Sequence, residues 1–335
     1  MEIKEKTYYP HLDYLKGLAI LLMVMAHVIA WSYPDYSFLS LRWCDLTVQE
    51  FNAALLWKII YSFHMPLLFF VSGFLFFKEN DTESYLKKIS KRFGRLLVPY
   101  ITTGVFVLYL RDYFGYWFFI VLFVLNLIVI AELVALQKVK NKLWIELIVH
   151  LVLFTILIFT VRYLKDDLPK SLSHLKSLPT YYLIFMFGYM VHKYKQIENI
   201  ILKPLVSLFC LVVFCGLFVM SNYYEIWKLN LLIPICAIVF LYNIFKGINI
   251  SNIMYVRYLS IVGKNSMEIY IFHLFFTASF LEVGKYILNI ENLPLSITIQ
   301  LTYSLIVSVV AIVLSLMIAN MLKSNTYLKK VVFGI

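Results

Sequence analysis

The sequence predicts an all-α fold: a polytopic membrane helix bundle of about ten transmembrane helices with both termini cytoplasmic. Of the 335 residues, 62% are hydrophobic and 15% charged, and the mean hydropathy is +0.81, far from the balance of a soluble domain. Apolar runs of near-span length recur from one end of the chain to the other. Basic residues crowd into alternate connections between those runs, as the positive-inside rule requires.

Spans are expected at about 12–33, 55–77, 95–110, 116–136, 144–162, 180–192, 202–220, 226–245, 263–283 and 296–321, the third and sixth being short. With the amino terminus inside, the cytoplasmic segments hold 21 of the 30 basic residues and ten of the 19 acids, so the whole net charge of +11 falls on that side. The excess therefore reads as topology. No basic run is long enough to suggest nucleic-acid binding. Cys44, Cys210, Cys215 and Cys236 form no C-x-x-C pair and suggest neither a disulfide framework nor a metal site. The opening residues lead straight into a full-length apolar run without a small-residue cleavage site, which reads as a retained first helix. No linker or internal repeat is visible, so residues 1–335 read as a single transmembrane domain.

Polar residues inside the spans carry the functional signal. In "HLDYLKGLAILLMVMAHVIAW", residues 11–31, Lys16 and His27 lie on one helical stripe about 16 Å apart along the axis, and Asp13 shares it. Something must cover that polar line, because an ionisable side chain inside a span has to face protein or water. His64, in "YSFHMPLLFFVSGFLF", falls at a depth similar to that of His27 on the antiparallel second span, so the two rings are expected face to face. His273, in "GKNSMEIYIFHLFF", is expected near the middle of the ninth span, with Ser266 on the same stripe. Each could equally be a satisfied packing contact.

At the inner rim, "LKKISKRFGRLLVPY" places Lys87, Lys88, Lys91, Arg92 and Arg95 ahead of Pro99, while Lys16 and Lys264 cap two other spans. These cations suit snorkelling anchorage, or a site for an anionic cytosolic ligand with several phosphates. Pro66 and Pro99 would free backbone groups to line a cavity. Glu268 has the spacing to pair with Lys264, and Glu132 and Glu146 read as snorkelling acids near inner span ends.

On these stretches the chain resembles the acyltransferase-3 family of integral membrane acyltransferases. The resemblance runs through "DYLKGLAILLMVMAH", "FHMPLLFFVSGFLF", "KRFGRLLVPY", "YWFFIVLFVL", "YYLIFMFGYMV" and "VGKNSMEIYIFHLFF", in that order. It implies acetyl-CoA as donor and co-substrate, and no metal. It also implies a glycan or lipid-linked saccharide as acceptor, and a multi-pass place among the lipids of the plasma membrane, the cytoplasmic or inner membrane of a bacterium. His27 would take the proton from a sugar hydroxyl, with His64 as the oxyanion donor and His273 as a third catalytic candidate. Lys16, Arg92, Arg95 and Lys264 would hold the donor's phosphates, and Asp13, Ser72 and Glu268 would position the site. Many members carry Arg where this chain has Lys16, which keeps the charge but loses the bidentate fork. Some relatives add an extracytoplasmic hydrolase-like domain that this sequence does not show. Direct transfer and an acyl-histidine route both remain open. The rival reading is a polytopic transporter or flippase for a glycan-related or small polar solute, since helix prolines and buried histidines also suit proton-coupled transport.

Overall fold

The computed structural model describes residues 8–77, 84–111, 115–136, 143–164, 170–224, 231–247 and 254–335. Of the charges that orient the chain, Lys4, Lys6, Lys78, Lys138, Lys140, Lys142, Lys165 and Lys228 lie outside the described residues. The fold is all-α, with no strand among the described residues. In chain order the helices are α1 (Pro10–Trp31), α2 (Val48–Tyr61), α3 (His64–Phe74), α4 (Tyr85–Arg92), α5 (Val98–Arg111), α6 (Trp117–Leu136), α7 (Leu143–Leu164) and α8 (Leu178–Lys193). They continue as α9 (Lys195–Ile201), α10 (Pro204–Tyr224), α11 (Leu232–Gly247), α12 (Met254–Lys264), α13 (Ser266–Phe276), α14 (Leu281–Ile287), α15 (Leu293–Lys323) and α16 (Thr326–Phe333).

Each of the ten expected segments contains helix. Among the described residues six helical segments are long and apolar enough to cross a membrane, the second formed by α2 and α3 together, or seven if the pair α13 and α14 counts as one broken span. The chain gathers into two compact units, one of residues 1–71 and 199–314, the other of residues 72–198 and 315–335.

In the first unit α1 starts with Pro10, whose missing N–H is harmless in a first turn, and places Asp13 where it complements the helix dipole. Its closest neighbour is α12. A Cβ on Gly17 would sit 2.0 Å from the Leu259 carbonyl oxygen, and one on Gly263 1.8 Å from that of Asp13, so only glycine lets these backbones touch. A capping box starts α2: Glu50 N–H donates to Thr47 Oγ1 at 3.2 Å and Thr47 N–H to Glu50 Oε2 at 2.9 Å. The break between α2 and α3 follows from Pro66, which has no N–H for the Ser62 carbonyl. Polar glue joins α2 to α15, since Asn52 Nδ2 donates to the Glu291 carbonyl at 2.8 Å and Gln300 Nε2 to that of Asn52 at 3.1 Å. Along α15 the fully buried Ser296, Gln300, Ser304 and Ser308 recur every four residues, a row of mostly small side chains suited to close helix packing.

The ninth span departs from expectation. It is not one straight helix with His273 at its middle, because α13 and α14 meet at 90° and His273 lies in the last turn of α13. Thr277 takes an extended backbone and ends the helix. Its N–H and hydroxyl both donate to the His273 carbonyl, at 2.9 and 2.7 Å, which supplies partners that a helix end would otherwise lack.

In the second unit the third expected span begins with a basic amphipathic helix, α4. A π-helical turn over Phe93–Leu97 leads from it into α5, directly ahead of Pro99, which cannot donate to the Arg95 carbonyl. Within the same unit α6 packs on α4 and on α8, and α8 on α7.

Candidate active site

Three elements of the first unit bring histidines together. The unbroken α1 carries His27 about 16 Å along the axis from Lys16, and α13 sets the His273 ring beside it, with centroids 5.4 Å apart and planes at 35°. His64 opens α3 just after the Pro66-induced break, near enough to interact electrostatically with His27, as His273 also does. The expected meeting of His27 and His64 is thus a cluster of three, in which the histidine ring packed against His27 is that of His273. Trp31, one turn beyond His27, lies 5.1 Å from it, and Tyr61 meets His64 edge-on at 4.9 Å.

Hydrogen bonds separate the three roles. His64 Nδ1 lies 2.8 Å from the Ile60 carbonyl oxygen, and His273 Nδ1 lies 2.9 Å from that of Tyr270. A carbonyl only accepts, so each Nδ1 carries the proton and each neutral ring presents an Nε2 lone pair. His273 Nε2 is buried with no partner among the described residues. As a neutral ring His64 therefore offers an acceptor where the sequence reading wanted an oxyanion donor. His64 and His273 are 3% and 1% exposed, whereas His27 retains accessible surface. His27 is part-buried, and the other two rings are fully buried and each tied to a backbone carbonyl.

The expected donor-binding cations are distributed over both units. In the first, Lys16 Nζ lies 2.7 Å from an Asp13 carboxylate oxygen, whose second oxygen accepts from Tyr8 at 2.9 Å. Lys264 lies over the Tyr8 ring, 5.2 Å from its centroid, and its hydrogen bond to Tyr8 holds the ammonium above the usual lysine range. Asp13, expected to be a positioning residue, contacts Lys16 directly and Lys264 through Tyr8. Glu268 stands part-buried in the first turn of α13. In the second unit Arg92 ends α4 over the Phe76 ring at 5.7 Å, and Arg95 is exposed on the π turn. Ser72 lies part-buried in α3.

Two acids read as snorkelling are not. Glu132 and Glu146 are 6% and 4% exposed. Glu132 pairs with His150 and Tyr182, and Glu146 with Lys193. Their partners come from other helices, α7 and α8, which is why inspection of one span at a time missed them. The available signal was charge complementarity: two acids, a histidine and a lysine in three successive apolar segments.

Among the described residues no group of His, Cys, Asp and Glu is arranged to hold a metal ion. A family model described as an acyltransferase domain matches residues 9–320. Comparison with curated proteins and with solved structures finds no match.

Proposed function

Because the chain belongs to the acyltransferase-3 family and is a multi-pass membrane acyltransferase, we propose that it moves an acetyl group from cytosolic acetyl-CoA to a hydroxyl of a cell-surface glycan or its lipid-linked precursor. Its place would be the plasma membrane, the cytoplasmic membrane of a bacterium. The observation that carries the reading is the part-buried His27 ring packed beside His273, in a cluster with two buried histidines whose Nδ1 atoms are tied to backbone carbonyls.

In this mechanism the neutral His27 imidazole removes the hydroxyl proton as the alcohol oxygen attacks the thioester carbonyl. The new C–O bond gives a tetrahedral oxyanion, whose collapse breaks the C–S bond. The proton on His27 passes to the departing thiolate, leaving an ester, free thiol and the histidine as it began. His273, whose ring packs beside that of His27, is suited to hold the orientation of the His27 imidazole. His64 is suited to the same supporting task from α3. The donor's phosphates would be held by cations at the cytoplasmic rim. Arg92 and Arg95 are candidates in one unit and Lys264 in the other, and Lys16 is partly neutralised by Asp13. An acceptor that approaches from the side of Trp31 and Tyr61 would meet aromatic faces, which suit the CH-rich faces of sugars.

The test is the mass of the surface glycan from cells with and without the protein, together with thioester consumption by the purified chain. An added acetyl mass that depends on His27 supports the assignment. An unchanged glycan mass, with transport of an intact solute instead, overturns it.

A further inference from the structure

The π turn that carries Arg95 is braced from outside its own helix. In the second unit α16 packs on α5, and its last residues meet the turn of Phe93–Leu97 backbone to backbone. Asn325 starts α16: its Oδ1 accepts from the Tyr327 N–H at 2.9 Å and the Leu328 N–H at 3.2 Å, two donors that lack acceptors within the helix. Gly334 ends it. Its N–H donates to the Lys330 carbonyl at 3.0 Å, and its backbone is left-handed, with φ +64°, a conformation that glycine adopts without strain. The preceding Phe333 is fully buried, and the Lys323 ammonium lies 5.4 Å from its ring centroid.

This cap touches the residue next to Arg95. A Cβ on Gly334 would stand 1.7 Å from the Gly94 carbonyl oxygen, and one on Gly94 would stand 2.9 Å from the Gly334 carbonyl oxygen. The Cα hydrogen that a Gly334 Cβ would replace therefore points at the Gly94 oxygen, a weak C–H···O contact for which only glycine leaves room. In the i to i+5 pattern of a π turn, the donor to that oxygen would be the nitrogen of residue 99, which as Pro99 has no N–H. The residues around Gly94 face elsewhere. Phe93 meets Phe123 of α6 edge-on at 6.2 Å, Leu96 is buried and Arg95 is exposed. Successive side chains in such a turn point roughly a quarter of a turn apart, so holding Phe93 and Gly94 against their neighbours fixes the direction of Arg95. Residues 84–111 and 315–335 contain no Asp or Glu, and so no carboxylate from either segment competes with a phosphate for that guanidinium.

We propose that Gly334 is a positioning residue for Arg95: through its contact with Gly94, α16 holds the π turn so that the guanidinium faces the donor's phosphates. The inference rests on the reading of Arg95 as a donor-binding cation.

The test is coenzyme A binding, measured by calorimetry on the full chain in lipid nanodiscs. Wild type, Gly334→Ala, Arg95→Ala and the double variant are compared, each checked for a cooperative melting transition. Gly334→Ala is expected to weaken binding by about three- to tenfold, up to the loss expected for Arg95→Ala. In the Arg95→Ala background it should add nothing, because residues that act through one contact are not additive. Gly94→Ala approaches the same contact from the other side and leaves the left-handed residue in place. It should weaken binding in the same non-additive way, and it carries the test if Gly334→Ala does not fold. A folded glycine variant with undiminished affinity, whatever its melting temperature, overturns the proposal. So does a loss that adds fully to that of Arg95→Ala. If Arg95→Ala itself leaves the affinity unaltered, the donor-binding role of Arg95 falls and the inference falls with it; a loss in Arg95→Ala without one in the glycine variants overturns the inference alone.

Discussion

At the scale of single residues, His27 differs from its two neighbours in what holds it. His64 and His273 each spend a nitrogen on a backbone carbonyl, whereas His27 is part-buried and is flanked by rings. Truncating it should therefore remove a reacting group without unfolding the bundle. His27→Ala is expected to lower turnover by about 10² to 10⁴, the usual worth of general acid–base catalysis, with coenzyme A affinity unchanged by calorimetry. Near-normal transfer by the folded variant would remove the mechanism. Arg95 is the other informative single position, because it is exposed on a π turn whereas Lys16 already has Asp13 as a counter-ion. Arg95→Ala should weaken coenzyme A binding by about tenfold, as expected for loss of one charge-assisted phosphate contact, while kcat at saturating donor stays near the parent value. Unaltered affinity would return Arg95 to a plain anchoring role.

At the scale of elements, contact between α1 and α12 decides whether His27 keeps its place. The Gly263 Cα faces the Asp13 carbonyl so closely that an added Cβ would stand 1.8 Å away, and the obstacle is backbone, which cannot rotate aside. Gly263→Val should push the helices apart and cost about 1–3 kcal/mol in the manner of overpacked cores. The expected result is a lowered Tm together with lost transfer; a variant with unchanged Tm would show that the two backbones do not touch there. Such contacts explain which elements were legible in the sequence. Apolar run length located helix in each expected segment, since it depends only on local composition, though six or seven of the segments are long and apolar enough to span among the described residues. Pro66 marked the break that places His64. The turn after α13 carries no proline or glycine; Thr277 makes it by capping His273, which "HLFFTASF" does not announce. The Glu132 pair was hidden for a related reason. Its partners lie 18 and 50 residues away on two other helices, and only their packing turns an apparent snorkelling acid into a buried one.

At the scale of the whole molecule, orientation in the membrane follows from charge, and one native cysteine can report it. On the positive-inside reading the α4 segment is expected to face the cytoplasm and the connection between α1 and α2 to face outward. That connection contains Cys44, which is exposed and whose neighbours are the Asp45 carboxylate and the Tyr223 carbonyl, each at 3.7 Å from the sulfur. Neither contact blocks a reagent arriving from water. An impermeant maleimide applied to intact cells should label Cys44, and Cys44→Ser should abolish the labelling, since Cys210, Cys215 and Cys236 all lie within the apolar helices α10 and α11. In the Cys44→Ser background a cysteine at Lys87, an exposed position on α4, should stay unmodified until the cells are permeabilised. The arrangement matters for chemistry as well as topology. On that orientation α1 would run from a cytoplasmic Lys16 outward to His27, and an acyl donor entering from the inside would have to reach about 16 Å along the helix to meet the imidazole. If Cys44 were protected and the residue at 87 labelled in intact cells, the cationic rim would face outward, and a cytosolic thioester could no longer be the donor.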